Sequence, residues 1–180
     1  MRLLAVDQGS LSLGLAFFTG RELIDTRVIK AHPLAAPWDQ RMRTIAHDII
    51  TLGKVSPGWT PDLIAIEDVV LHRGLRSNPK TLATMGATRG YLARVYDELY
   101  PFARRIAISP QRVKSSVGAP QRRSRAKQHI GWAVEALTGR AGLSEDEADA
   151  VAIGLAALEQ LRAESLVALA KQGSGGNVRS

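Results

Sequence analysis

The sequence predicts an α/β fold: a five-stranded mixed sheet, antiparallel meander first, flanked by helices. Two observations carry that expectation. Three apolar runs near the N-terminus are joined by tight turns, the pattern of a meander. Two later apolar runs alternate with segments of helical spacing, so the sheet is mixed and the helices cover it.

The first strand is expected at residues 2–6 (RLLAV), with DQGS as the turn after it. Residues 11–18 (LSLGLAFF) form the second strand, in which Gly14 marks a bend or a close approach. TGR is a hairpin turn, and residues 22–29 form the third strand. Pro33 and Pro37 break the chain, and Met42, Ile45, Ala46, Ile49 and Ile50 then recur at helical spacing over 38–52. Residues 63–66 (LIAI) are apolar throughout, so this strand lies centrally in the sheet.

Asn78 as N-cap and Pro79 at the first helical position open a helix that runs to about Leu99. Residues 103–108 form the fifth strand, and Ser109-Pro110 repeats the cap signature for a short helix to Val117. GAPQRRSR is a basic loop, residues 126–137 are helical, and Gly139 and Gly142 end that helix. Ser144 caps the last helix, with Glu147 completing a capping box. That helix is expected to reach about Ala170. Residues 1–170 thus form one domain with a sizeable core, and 171–180 a disordered tail.

Lys and Arg total 24 against 17 Asp and Glu, a net charge of +7. Such a balance favours a polyanionic partner, nucleic acid before membrane. Without cysteine, disulfides and thiolate metal sites are excluded, so any metal ligands are oxygen or imidazole. Met1 leads directly into a strand without signal-peptide features, and no apolar stretch reaches the ~20 residues that span a bilayer. The expected location is cytoplasmic, with no membrane partner.

Against this basic background four carboxylates stand out. Asp7 follows LLAV; on its own it also reads as a turn residue. Glu67 follows LIAI and faces away from its neighbour Asp68, because strand side chains alternate. A Glu on a covered face needs a partner or a metal, unless the strand end already reaches solvent. Asp146 and Asp149 are three apart, on one helical face. The helix macrodipole accounts for Asp146 in the first turn but not for Asp149, which lies a turn deeper between Ala148 and Ala150. Small residues there let the helix pack closely on the sheet. Four ionised carboxylates in one cleft repel, and divalent cations remove that penalty. Mg²⁺ is held in this way, and two ions ~3.5–4 Å apart can clamp an in-line phosphoryl displacement.

Basic residues cluster at Arg73, Arg76 and Lys80 after Glu67, at Arg112 and Lys114 after the fifth strand, and at Arg122, Arg123, Arg125 and Lys127. They are candidate phosphate contacts, with a solvated face as the plain alternative. Arg104 and Arg105 fit a solvated face better, since they begin a strand. The four histidines show no metal-ligand spacing. Trp38 and Trp132 are expected in the core, Trp59 has no assigned role, and 5% aromatic content does not indicate a base-stacking platform.

LLAVDQGSLSLGLAFF, LIAIEDVV, LATMGATRGYL, QRVKSSVG and DEADAVAIGLA, in that order, resemble the RuvC-type Holliday-junction resolvases. The most specific part is the final aspartate pair. The resemblance implies an RNase H-like fold and a homodimer, and a crossover junction endodeoxyribonuclease that nicks four-way DNA junctions symmetrically in recombination and repair. It implies two Mg²⁺ ions per subunit, or Mn²⁺, held by Asp7, Glu67, Asp146 and Asp149, and leaves 5′-phosphate ends. Lys114 matches a basic position near the scissile phosphate. A second functional lysine of the family aligns ambiguously with Arg122, Arg123, Arg125 or Lys127. A branch-migration helicase complex is the implied partner. Gln8 departs from the Asp-Pro-Gly common in the family, leaving the ligand in place and loosening the turn. Val70 stands where some members carry an aromatic residue that stacks at the crossover.

The helix from Asn78 is the implied dimer element. Its stripe of Ala83, Gly86, Ala87, Gly90 and Ala93 permits close helix approach, and packing on the chain's own sheet explains the stripe equally well. Two other functions remain open: an RNase H-like nuclease acting on other branched DNA or RNA–DNA hybrids, and a non-catalytic junction binder.

Overall fold

The computed structural model describes residues 1–55, 58–68, 79–119 and 123–174, with backbone alone at 54–55, 123–128 and 173–174. Its elements are β1 (Arg2–Gln8), β2 (Ser12–Thr19), β3 (Glu22–Lys30), α1 (Trp38–Val55), β4 (Leu63–Glu67), α2 (Pro79–Leu99), β5 (Arg104–Ile108), α3 (Pro110–Ser116), α4 (Arg123–Thr138) and α5 (Glu145–Ser174). The strand order is β3-β2-β1-β4-β5. The first three strands are antiparallel, and β4 and β5 run parallel to β1. The mixed five-stranded sheet and its leading meander are as expected.

Alternation along the strands sorts their side chains to two faces. Leu3 and Ala5 of β1, Ala16 and Phe18 of β2 and Leu63 and Ala65 of β4 pack with α3, α4 and α5. Leu4, Val6, Leu13, Leu15, Ile64 and Ile66 pack on the other face against α1 and α2. Burying a large side chain such as Phe18 completely contributes roughly 1.5–3 kcal/mol, so both layers stabilise the sheet.

The small residues of α5 bring it against the sheet. A Cβ on Gly154 would lie 2.7 Å from Cζ of Phe18, so any larger residue there forces the ring to shift. The capping box forms: the Ser144 amide and hydroxyl donate to one Glu147 oxygen at 3.0 and 2.7 Å. The other oxygen accepts from the Thr26 hydroxyl at 2.8 Å, tying the start of α5 to β3.

Several expectations are corrected. β1 continues through Asp7 and Gln8, which pair with Gly14 and Leu13, so the turn begins later. Gln8 therefore extends the ladder instead of loosening a turn. Arg123 and Arg125 belong to α4 and not to a loop, because SRAKQ is built of helix-compatible residues without Gly or Pro. Trp132 is 64% exposed. On α4, Ile130 and Val134 define the buried face, and residue 132 falls opposite them. Trp38 does pack against the core, and its indole N–H donates to Thr88 at 2.9 Å. The stripe on α2 does not pack on the sheet. Thr88, Leu92, Val95 and Tyr96 form its buried face, while Ala83, Gly86, Ala87 and Gly90 are exposed. Helix α5 continues to Ser174, into the segment expected as a tail, and 175–180 lie outside the described residues.

Candidate active site

Two parallel strands deliver the first two carboxylates. β1 and β4 pair in step from Leu3↔Leu63 to Val6↔Ile66. Asp7 and Glu67 come next on each strand, and alternation puts both on the face of Ala5 and Ala65, beneath α5. The neighbouring Asp68 turns to the opposite face and pairs with Arg89 of α2 at 2.6 Å. Asp7 and Glu67 are half-buried, each at the end of a run of buried residues.

Helix α5 delivers the other two. Gly14 lies directly across from Asp7 in the β1–β2 ladder. The space of its missing side chain is taken by the Asp146 carbonyl, whose carbon is 2.6 Å from where a Cβ would sit. Ala150 closes on the same point at 3.3 Å. The close approach expected at Gly14 is therefore that of the first turn of α5, and it sets Asp146 over the strand that carries Asp7. Asp149 is one turn further along the same face.

The electrostatics link the elements. Burial raises the Glu67 carboxyl above its ordinary value, the negative charge of Asp149 raises it further, and the ammonium of Lys114 works against both. Glu67, Asp149 and Lys114 therefore share one field although they come from β4, α5 and α3. Helix α3 aims the lysine. Ser109 caps it, its hydroxyl accepting from the Arg112 amide at 3.3 Å, and Val113 anchors it in the core. Two residues apart on a helix point different ways. Arg112 accordingly borders a groove with Gln160, Glu164 and Lys171 on the second half of α5.

The donor set is hard oxygen with excess negative charge, which suits a divalent cation. Among the described residues no three of these groups stand at ligating spacing.

Of the other candidates, Lys80 is exposed at the start of α2. Arg123, Arg125 and Lys127 lie in the first turns of α4, where backbone alone is described. Arg73, Arg76, Arg122 and Val70 lie outside the described residues. Arg104 and Arg105 pair with Glu164 and Asp97, at 3.9 and 3.1 Å, as expected of a solvated face.

No family model matches the chain, and no curated protein matches it in sequence. Among solved structures, Thermus thermophilus RuvC in complex with a Holliday junction substrate superposes with a TM-score of 0.69 at 20% identity. The match covers 90% of this chain and 96% of that one. A second Thermus thermophilus RuvC structure gives 0.65 at 22% identity, over 91% and 97% of the two chains. The chain has the RuvC fold. In this chain the carboxyl ends of β1 and β4 and the first turn of α5 meet at one edge, the edge where the four acidic residues lie.

Sequence reasoning missed three features around this edge: the Thr26–Glu147 hydrogen bond, the Asp68–Arg89 pair behind it, and the exposed Trp132 lining a cavity with the start of α5. The first two join residues far apart in sequence and leave no local signal. The third was legible, since Trp132 lies two residues from Ile130 and Val134 on α4.

Proposed function

We propose that this chain is a RuvC-type Holliday-junction resolvase, a divalent-metal-dependent endonuclease that cuts four-way DNA junctions in recombination and repair. The observation that carries the reading is the gathering of Asp7, Glu67, Asp146 and Asp149 at one sheet edge, with Glu67 and Asp149 near enough to repel. A pure DNA binder gains nothing from negative charge facing phosphates.

Asp7, Glu67, Asp146 and Asp149 would hold two Mg²⁺ or Mn²⁺ ions. When bound, such a pair supplies an activated water and neutralises charge at the scissile phosphate. The chain's own residues do the rest. Lys114 directs its ammonium at the same edge and stabilises the charge that develops on the phosphoryl oxygens. Basic residues flanking the edge hold the backbone in register. The products are 5′-phosphate and 3′-hydroxyl ends.

A homodimer places two such edges on one junction and yields paired nicks. Its support is the exposed small-residue stripe of α2, where a Cβ on Gly86 or Gly90 would meet nothing within 4 Å. A branch-migration helicase complex that feeds junctions to the dimer fits the same role. One feature favours a broader substrate range: Val70 replaces the aromatic residue that some relatives stack at the crossover.

A competition among a four-way junction, a flap, duplex DNA and an RNA–DNA hybrid, with Mg²⁺ or Mn²⁺, separates the readings. Preferential cutting of the junction supports resolution. Preference for the hybrid or the flap assigns a different nuclease role, and tight junction binding without cutting under either metal assigns a binder.

A further inference from the structure

Trp132 is the largest exposed aromatic side chain on the α4–α5 side of the molecule. Its ring packs edge-on against His129, with centroids 5.7 Å apart and planes at 64°. Trp132 lines a cavity of about 420 Å³ between α4 and the start of α5. Trp132, Glu135, Arg140, Glu145 and Asp149 line it, so one wall of the cavity is a candidate catalytic carboxylate.

The chemistry of that lining is selective. Three carboxylates face one guanidinium, and Arg140 already donates to the carbonyl oxygens of Leu23 and Ile24 at 3.3 and 2.5 Å. A phosphate is repelled by such a lining. A flat, uncharged ring that carries an amino group suits it: the indole offers a stacking face, and a glutamate accepts from the amino group. The size is within the range of small-ligand pockets.

Building on the resolvase reading, we infer that this cavity is a base subsite, in which Trp132 stacks an unpaired cytosine or adenine next to the nick and Glu135 accepts from its exocyclic amino group. Trp132 then supplies on α4 an aromatic contact that Val70 does not supply after β4. The cleaved strand reaches it because Asp149 belongs to both the metal edge and the cavity wall.

The test is an abasic scan along the junction strands near the nick, with binding measured on the Asp7→Asn protein and nicking on the active one. With Trp132 present, removal of one particular base should weaken binding about tenfold, the scale of a base–aromatic stack. In Trp132→Ala that same abasic junction should bind as the intact one does, and Trp132→Phe should restore most of the difference. Thymine at that position should cut more slowly than cytosine or adenine, and Glu135→Gln should narrow the gap. The side chain is exposed, so an unchanged melting temperature accompanies these effects. A flat abasic scan, or one that Trp132→Ala leaves unaltered, overturns the subsite while junction cutting by the unsubstituted protein keeps the resolvase reading. Failure of the unsubstituted protein to bind or cut any junction overturns both.

Discussion

Gly14→Ala isolates the geometry on which the site depends. The added methyl would lie 2.6 Å from the carbonyl carbon of Asp146 and 3.3 Å from Cβ of Ala150. The obstacle is helix backbone, which no rotamer change relieves. Restoring ordinary contact requires the first turn of α5 to retreat by about 1 Å, since carbon atoms pack best at ~3.5–4.0 Å. Overpacking of this kind costs ~1–3 kcal/mol. A chain of this size then melts roughly 2–10 °C lower. The retreat carries Asp146 and Asp149 away from Asp7 and Glu67, and a misplacement of ~1 Å costs on the order of 10²-fold in rate. Gly154→Ala is the control, because its methyl meets the ring edge of Phe18 at 2.7 Å, more than a turn beyond Asp149. It is expected to lower the melting temperature by a similar amount and to cut at nearly the unsubstituted rate. The assay is single-turnover nicking of a four-way junction, well below both melting temperatures, with stability read by circular dichroism. Full activity in Gly14→Ala despite the lowered melting temperature would refute the claim that this contact sets the carboxylates.

Glu67→Gln is expected to stabilise the metal-free protein while abolishing cutting. The carboxyl titrates above its ordinary 4.5 in the fold, so its ionised form opposes folding once the pH rises through the folded value, and the variant's advantage appears at neutral pH and vanishes in acid. Solvent screening limits the gain to about 1 kcal/mol, or ~2–4 °C by calorimetry. For Glu147, burial raises the carboxyl, but hydrogen bonds from Ser144 and Thr26 and the charge of Arg27 outweigh it and hold the group below 4.5. Its contribution is therefore present above 4.5 and lost as the pH falls through the folded value. Ser144→Ala should cost about 1 kcal/mol at neutral pH, with the gap narrowing in acid melts. Gly86→Leu should leave the monomer folded, because its site is open, yet shift the sedimentation of the protein from dimer to monomer; an unshifted dimer places the interface elsewhere.

The fold was legible where hydrophobic period and turn chemistry agree: the meander, the Ser109-Pro110 start of α3 and the Ser144–Glu147 box all form. Gly14 was legible as a close approach, but not what approaches it, since its neighbour is 132 positions along the chain. Asp7 was read at a turn because Asp-Gln-Gly carries turn chemistry, and the ladder to Gly14 and Leu13 overrides that preference. Trp132 was read by hydrophobicity, although its phase on α4 already placed it opposite the buried face. The register that aligns Asp7 with Glu67 is a property of parallel pairing, which no local pattern specifies.

On the resolvase reading, the four carboxylates act as one cutting site. Its most direct test is nicking of a four-way junction with Mg²⁺ by Asp7→Asn, Glu67→Gln, Asp146→Asn and Asp149→Asn, each measured beside its junction affinity. Each variant should bind the junction at least as well as the unsubstituted protein and lose on the order of 10²-fold or more in nicking rate. Any one of the four that binds and still nicks at the full rate contradicts the account.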